Sequence, residues 1–230
     1  MKKSWKAVAN DPESFSGLLR EVVARPLEDW RGVYESFSPV DIETGERRGR
    51  VPPDDTLSTR RAAVLVPVLL APEGPELVYT VRKGDLNDHA GQISFPGGSL
   101  ESGDASLLEC ALREAKEEID LSPDLVEIVG ELEEMYIPPS NFRVSPYVGL
   151  LPTAAEFIID PREVEEVFTA PLQDLLSSET FQKTIWRHED REYEVPYFAV
   201  AGHKIWGATA AMTAAFLARL GWEPARHAPR

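Results

Sequence analysis

Glu114, Glu117 and Glu118 are the residues in this chain whose types and spacing best support chemistry. If residues 105–119 are helical, they stand at i, i+3 and i+4 and share one narrow sector of the helix. Carboxylates gathered that closely repel one another, so they call for a cation among them. Hard oxygen donors suit Mg²⁺ or Mn²⁺. The bland reading is a solvated acidic face, common in a chain with a net charge of −15. Two neighbouring features, a glycine pair and an arginine, tilt the balance toward a site. Gly97 and Gly98 allow backbone approaches that a side chain would block. Arg113, directly before the first carboxylate, can ion-pair with an acid and hold it in place.

A helix carrying these acids must lie on something. Leu108, Leu112, Ala115 and Ile119 form an adjacent apolar stripe that can pack on a sheet. Residues 61–70 form a β-branched, apolar run that reads as a buried strand. Residues 76–82 are the next strand, after a turn at 72–75. Further strands are expected over 126–134 and 143–151, around an exposed loop from Tyr136 to Phe142. Residues 160–170 mix acidic and apolar side chains, and 172–177 make a short helix. Residues 184–188 and 193–200 alternate like a hairpin, and 208–220 form an apolar closing helix. At the start, residues 12–25 have helical spacing closed by Pro26, and 31–59 read as a loop or arm. Strands and helices mix without a βαβ rhythm, which points to an α/β sandwich rather than a doubly wound sheet.

Composition narrows the classes. With 230 residues the chain suffices for one domain with extensions, and 43% hydrophobic residues is ordinary for a globular protein. The acidic balance argues against nucleic acid, because the one basic cluster, at 47–50, is too small to collect many phosphates. Cys110 is the only cysteine, so no intramolecular disulfide forms and a reducing, cytoplasmic setting is expected. No apolar run is long enough to span a bilayer, so no membrane partner is expected. Cys110 itself reads as a small buried residue. His89, before the glycine turn, could contact phosphate but reads as an incidental loop histidine, and His188 and His203 lack metal-ligand spacing. Trp206 and its neighbours read as core.

The segment from Gly98 to Leu121 resembles the Nudix box, in which a glycine, five residues, a glutamate and seven residues precede an Arg-Glu-apolar-x-Glu-Glu core. Gly98, Arg113, Glu114, Ala115, Glu117, Glu118 and Leu121 match it. Asp104 stands for the first glutamate, eight residues separate it from Arg113, and Asp120 replaces a late glycine. The extra residue matters little in a loop. Upstream, Thr80, Arg82, Gly91, Phe95, Pro96, Gly97 and Gly98 resemble the signature of the coenzyme A pyrophosphatase branch of that superfamily. Lys83 and Asn87 depart from it; Asn87 stands where arginine is expected, and Lys83 supplies positive charge nearby. Lys204 to Ala210 and Glu163 to Leu172 extend the resemblance, which covers residues 61–220.

The resemblance implies a Nudix-type α/β/α sandwich with a mixed sheet and an N-terminal helical extension. It implies residues 1–58 as helix and arm packed on the core, 59–222 as the hydrolase domain and 223–230 as tail. The expected activity is Mg²⁺- or Mn²⁺-dependent hydrolysis of coenzyme A or its derivatives to phosphopantetheine and adenosine 3′,5′-bisphosphate. Glu114, Glu117 and Glu118 would hold the metal, and Arg113 would orient a ligand. Arg82 and Lys83, with Gly97 and Gly98, would bind substrate. Glu117 within the box, or Glu163 or Glu166 beyond it, would serve as general base. Two alternatives stand beside this: a Nudix hydrolase of ADP-ribose, a dinucleotide or a nucleoside triphosphate, and a non-catalytic module that senses a nucleotide. The N-terminal helix and the Tyr136–Phe142 loop could serve a homodimer.

Overall fold

The computed structural model describes residues 5–47, 59–84, 91–188 and 190–223. Asn87, His89, most of the basic cluster and the tail beyond Glu223 lie outside the described residues. In chain order, α1 (Pro12–Val23), α2 (Trp30–Glu35) and β1 (Val40–Asp41) come first. Strands β2 (Arg60–Ala71), β3 (Gly74–Arg82), β4 (Ile93–Ser94) and β5 (Gly97–Ser99) lead into α3 (Leu107–Ile119). Then follow β6 (Glu127–Glu131), β7 (Met135–Ile137), β8 (Phe142–Leu151), β9 (Val164–Pro171) and the short α4 (Leu172–Leu175). Strands β10 (Phe181–His188), β11 (Arg191–Val200) and β12 (His203–Trp206) precede the closing helix α5 (Gly207–Arg219).

The main sheet runs β4-β3-β2-β8-β6, with β5 on β2, β7 on β8 and β9 on β3. β2 and β8 pair in parallel from Arg60 opposite Phe142 to Leu69 opposite Leu151. β2 pairs antiparallel with β3 and β5, so the sheet is mixed. The period of two along β2 assigns its side chains to two layers. Ala63 and Leu65 pack with Val78 against Cys110, Ala111, Ala115 and Ile119 of α3. Ala62, Val66 and Val68 join Leu77 and Tyr79 in the larger layer, with α1, α2 and α5. Helices on both faces make the expected α/β/α sandwich. A smaller sheet, β1-β11-β10 with β12 on β11, stands beside it.

The N-terminal segment belongs to the larger layer through Phe15, Leu19, Val33, Tyr34 and Phe37. Phe37 stacks on Phe198 and lies beside Trp222. Glu133 ties the same region together. Its carboxylate accepts from the Leu27 N–H at 2.9 Å and from Arg219 at 2.7 Å, and its carbonyl accepts from the Tyr34 hydroxyl at 2.5 Å.

The structure differs from the sequence expectations in several places. The arm expected over 31–59 contains α2 and β1, because Val33, Tyr34 and Phe37 form an apolar face that its charge, proline and glycine content masks. The exposed loop expected over 136–142 begins with β7, whose Met135 and Tyr136 are buried against β8, so only a tight turn at Pro138–Ser140 is left. The strand expected over 126–134 ends at Glu131, where β8 exchanges β6 for β7 as its partner. β12 adds a strand through residues read only as a motif, and Trp206 lines a cavity instead of filling the core.

Candidate active site

Local signals fix where α3 starts and stops. The Ser106 hydroxyl accepts from the Glu109 N–H at 3.1 Å, and the Glu109 carboxylate accepts from the Ala105 N–H at 2.6 Å, a capping-box-like pair. The helix ends at Asp120 with φ of 54°, a left-handed conformation that a short polar side chain tolerates. Asp120 thus does the stopping that a glycine would otherwise do. The buried face is Cys110, Ala111, Ala115, Glu118 and Ile119, with Leu107 and Leu112 packed at its edges. Leu108 is not among them. The helix is therefore turned from the expected stripe, and the turn carries Glu118 inward.

Glu118 is only 2% exposed. Its Oε2 accepts from the Gly97 N–H at 3.3 Å, and its Oε1 lies 3.5 Å from Arg82. Burial pushes its carboxyl pKa up from 4.5 to about 8, against the opposing pull of Arg82 and the Gly97 N–H. Glu114 is also raised, first by burial, while Arg113 works in the other direction. Glu117 is exposed at the end of the row. The glycines explain how the acids reach the sheet. A Cβ on Gly97 would sit 2.4 Å from the Ala63 carbonyl oxygen, and one on Gly98 would sit 2.4 Å from Glu114 Oε1. Gly97 thus lets β5 lie against β2, and Gly98 lets the Glu114 carboxylate of α3 approach β5.

Arg113 organises the acids around it. Its Nε and Nη2 donate to the two Asp104 oxygens at 2.8 and 3.0 Å. Its Nη1 donates to Glu114 and Glu117 at 3.0 Å each, and its Nη2 also reaches the Ser99 carbonyl at 3.3 Å. The guanidinium holds the Asp104 carboxyl down at a pKa of about 2. Asp104 also accepts from the Glu101 N–H at 2.8 Å, so it joins the glycine loop to the helix. Cys110 lies beneath this network, fully buried, and burial raises its thiol pKa to about 11, which leaves it a protonated packing group.

The structure separates the two later acids. Glu163, just before β9, has its carbonyl on the Lys83 N–H at 2.9 Å, and its charge raises both Glu114 and Glu118. It stands exposed at the entry to β9, near the carboxylates of α3. Glu166 shares a face with Phe168, which stacks on Tyr79 in the opposite layer, and it lies 3.4 Å from His203. It is not brought to the cluster. Lys83 follows directly on Arg82 at the end of β3.

Between the main and smaller sheets lies a cavity of about 1190 Å³. Arg82 lines it, as do Phe95, Pro138, Trp186, Tyr193 and Trp206. Trp186 and Trp206 meet edge to face, with ring centroids 4.2 Å apart. Sequence reasoning found Arg82 but missed this wall. The alternation over β10 and β11 was the available signal, since the hairpin places Trp186 opposite Tyr193.

A family model described as "NUDIX domain" matches residues 59–193. The protein described as "Uncharacterized Nudix hydrolase NudL" from Enterobacter sp. (strain 638) is 35% identical over 174 residues, 74% of this chain and 88% of its own length. Its namesake from Citrobacter koseri is 37% identical over 175 residues, with 74% and 88% covered. Among solved structures, a MutT/nudix family protein from Enterococcus faecalis superposes with a TM-score of 0.49 at 15% identity, over 74% of this chain and 65% of its own.

Proposed function

Because the chain belongs to the Nudix hydrolase family, we propose that it cleaves the diphosphate of coenzyme A or its derivatives to phosphopantetheine and adenosine 3′,5′-bisphosphate. The observation that carries the hydrolytic part is Glu118, a carboxylate buried among other acids with too little positive charge around it. Such a group fits a hard divalent cation, and the donors at hand are all oxygens. Among the described residues no three such side chains are already placed to hold an ion together. Arg113 spans Glu114 and Glu117, and Arg82 faces Glu118. Glu114, Glu117 and Glu118 would hold Mg²⁺ or Mn²⁺. When bound, such an ion neutralises diphosphate oxygens and lowers the pKa of a coordinated water.

The chain's own residues do the rest. Asp104 keeps Arg113 in one orientation, and Arg113 keeps Glu114 and Glu117 in register. Arg82, at the border between cluster and cavity, binds a substrate phosphate, and Lys83 adds charge beside it. Glu163 accepts a proton from the attacking water, a task for which Glu166 stands on the wrong face. Gly97 and Gly98 bring the substrate-side strand against the acids. The choice of coenzyme A draws on the run from Thr80 to Gly98 and on a large apolar cavity next to Arg82.

The test is a turnover panel with Mg²⁺ or Mn²⁺ and products identified by mass. It includes coenzyme A, ADP-ribose, NADH, a diadenosine polyphosphate and nucleoside triphosphates. Phosphopantetheine with adenosine bisphosphate as the dominant products is the expected outcome. Preference for another substrate overturns the coenzyme A assignment, and binding without turnover on any of them favours a sensing module.

A further inference from the structure

The wall formed by Trp186 and Trp206 carries an inference about what the substrate bears beyond its diphosphate; it rests on the coenzyme A reading above. The cavity's volume is near or above the upper end of what a drug-sized ligand occupies, about 300–1,000 Å³. A single planar base would leave most of it empty. Its lining is mainly aliphatic and aromatic, with Ile137, Val144, Val195 and Met212 behind the two indoles. Ile185 and Trp186 on its rim are 59% and 39% exposed, although large apolar side chains are usually covered. Both lie on β10, the outer strand of the smaller sheet among the described residues. Arg82 lines the cavity and lies 3.5 Å from Glu118. A ligand that fills the cavity therefore reaches the side chain that borders the acidic cluster.

We propose that this cavity receives an apolar acyl chain carried on the thiol end of the substrate, and that acylated substrates are preferred over the free thiol. Trp186 and Trp206 are its specificity-determining residues. The chain lies along the indole wall, covers the exposed part of Trp186, and leaves the hydrolysed bond at the acidic cluster. Adenine alone would leave most of the cavity empty, and the polar side chains in its lining, Gln92, Ser94, Arg187 and His188 among them, are outnumbered by apolar ones.

Two measurements on the intact protein test this. The first is kcat/KM for coenzyme A and its acetyl, butyryl, hexanoyl and octanoyl thioesters. Each buried methylene contributes up to roughly fourfold, so a rise of about tenfold or more from acetyl to octanoyl is expected. In Trp186→Ala the ratio of octanoyl to free coenzyme A falls toward one. A variant that is merely less stable would lower both rates together and keep the ratio. The second is tryptophan fluorescence in chelator, where the same series should bind progressively more tightly without turnover.

Turnover of coenzyme A with a flat series overturns the proposal and leaves the function intact. No turnover, with chain-dependent binding, overturns the coenzyme A hydrolysis reading alone. No turnover and no chain dependence overturns both. If adenosine 3′,5′-bisphosphate alone reproduces the fluorescence change and octanoyl-pantetheine, which carries the chain without the base, does not, the base occupies the cavity and the proposal fails.

Discussion

Replacing Glu118 with glutamine tests whether this carboxylate is held in the fold with too little compensation. The side chain is 2% exposed, and its pKa rises from 4.5 to about 8 on burial. A carboxyl with a raised folded pKa makes the native state bind a proton that the unfolded chain gives up. Its contribution to stability is fully present below pH 4.5 and is lost as pH rises toward about 8. One pH unit in that window is worth about 1.4 kcal/mol. The loss is thus roughly 3 kcal/mol at pH 7 and nearly 5 kcal/mol above pH 8. Glutamine is close in shape, stays neutral and can still accept the Gly97 N–H.

Urea unfolding in chelator at pH 5, 7 and 9 reads this out. At pH 5 the two proteins should lie within about 1 kcal/mol of each other. At pH 7 and 9 Glu118→Gln should be the more stable by a few kcal/mol, with the same denaturant slope. Adding Mg²⁺ or Mn²⁺ at a hundred times its dissociation constant should then stabilise the native protein by about 2.7 kcal/mol and the variant by much less. The difference between the two proteins isolates Glu118, because every other group titrates in both. If the variant is weaker by the same amount at all three pH values, Arg82 and Gly97 already satisfy the charge, and the argument for a missing cation fails.

Gly98→Ala places a methyl 2.4 Å from Glu114 Oε1 and must push that carboxylate aside. Displacement of a catalytic group by about 1 Å can cost about a hundredfold in rate, so metal-dependent kcat should fall by that order; a fall under threefold would show that Glu114 is free to move. Glu163→Gln should lower kcat by about 10²-fold or more, the usual worth of a general base, whereas Glu166→Gln should stay within twofold. Equal effects from the two, measured under saturating metal, would contradict their assignment to opposite faces of the sheet.

How far the sequence disclosed this protein follows from how local each feature is. The acids on α3, the arginine between them and the glycines before them lie within 22 residues, and helix geometry alone brings Glu114, Glu117 and Glu118 onto one side. Asp104 was legible for the same reason, since a loop of this length lets its carboxylate meet Arg113. The rotation of α3 was not. Stripe counting put Leu108 on the packed face and Glu118 in the acidic sector beside it, whereas Glu118 is buried and accepts the Gly97 N–H, and it is Glu114 for which Gly98 leaves room. The same glycines were visible, but what they admit depends on β2, more than thirty residues upstream.

Glu163 and Glu166 stand three residues apart, so strand alternation alone sets them on opposite faces; which of those faces looks toward α3 depends on the pairing of β9 with β3, which is not a local feature. The cavity was hidden most deeply. Trp186 faces Trp206 only because β11 pairs with β10 on one side and β12 on the other, so that Tyr193 lies opposite Trp186 and Tyr197 opposite Trp206. The residues that cleave are thus written in one stretch of chain. Those that would choose the substrate are drawn from several strands and a turn, so they can vary without disturbing the acids. That division is why a reaction class can be read from a motif while a substrate must be read from a folded wall.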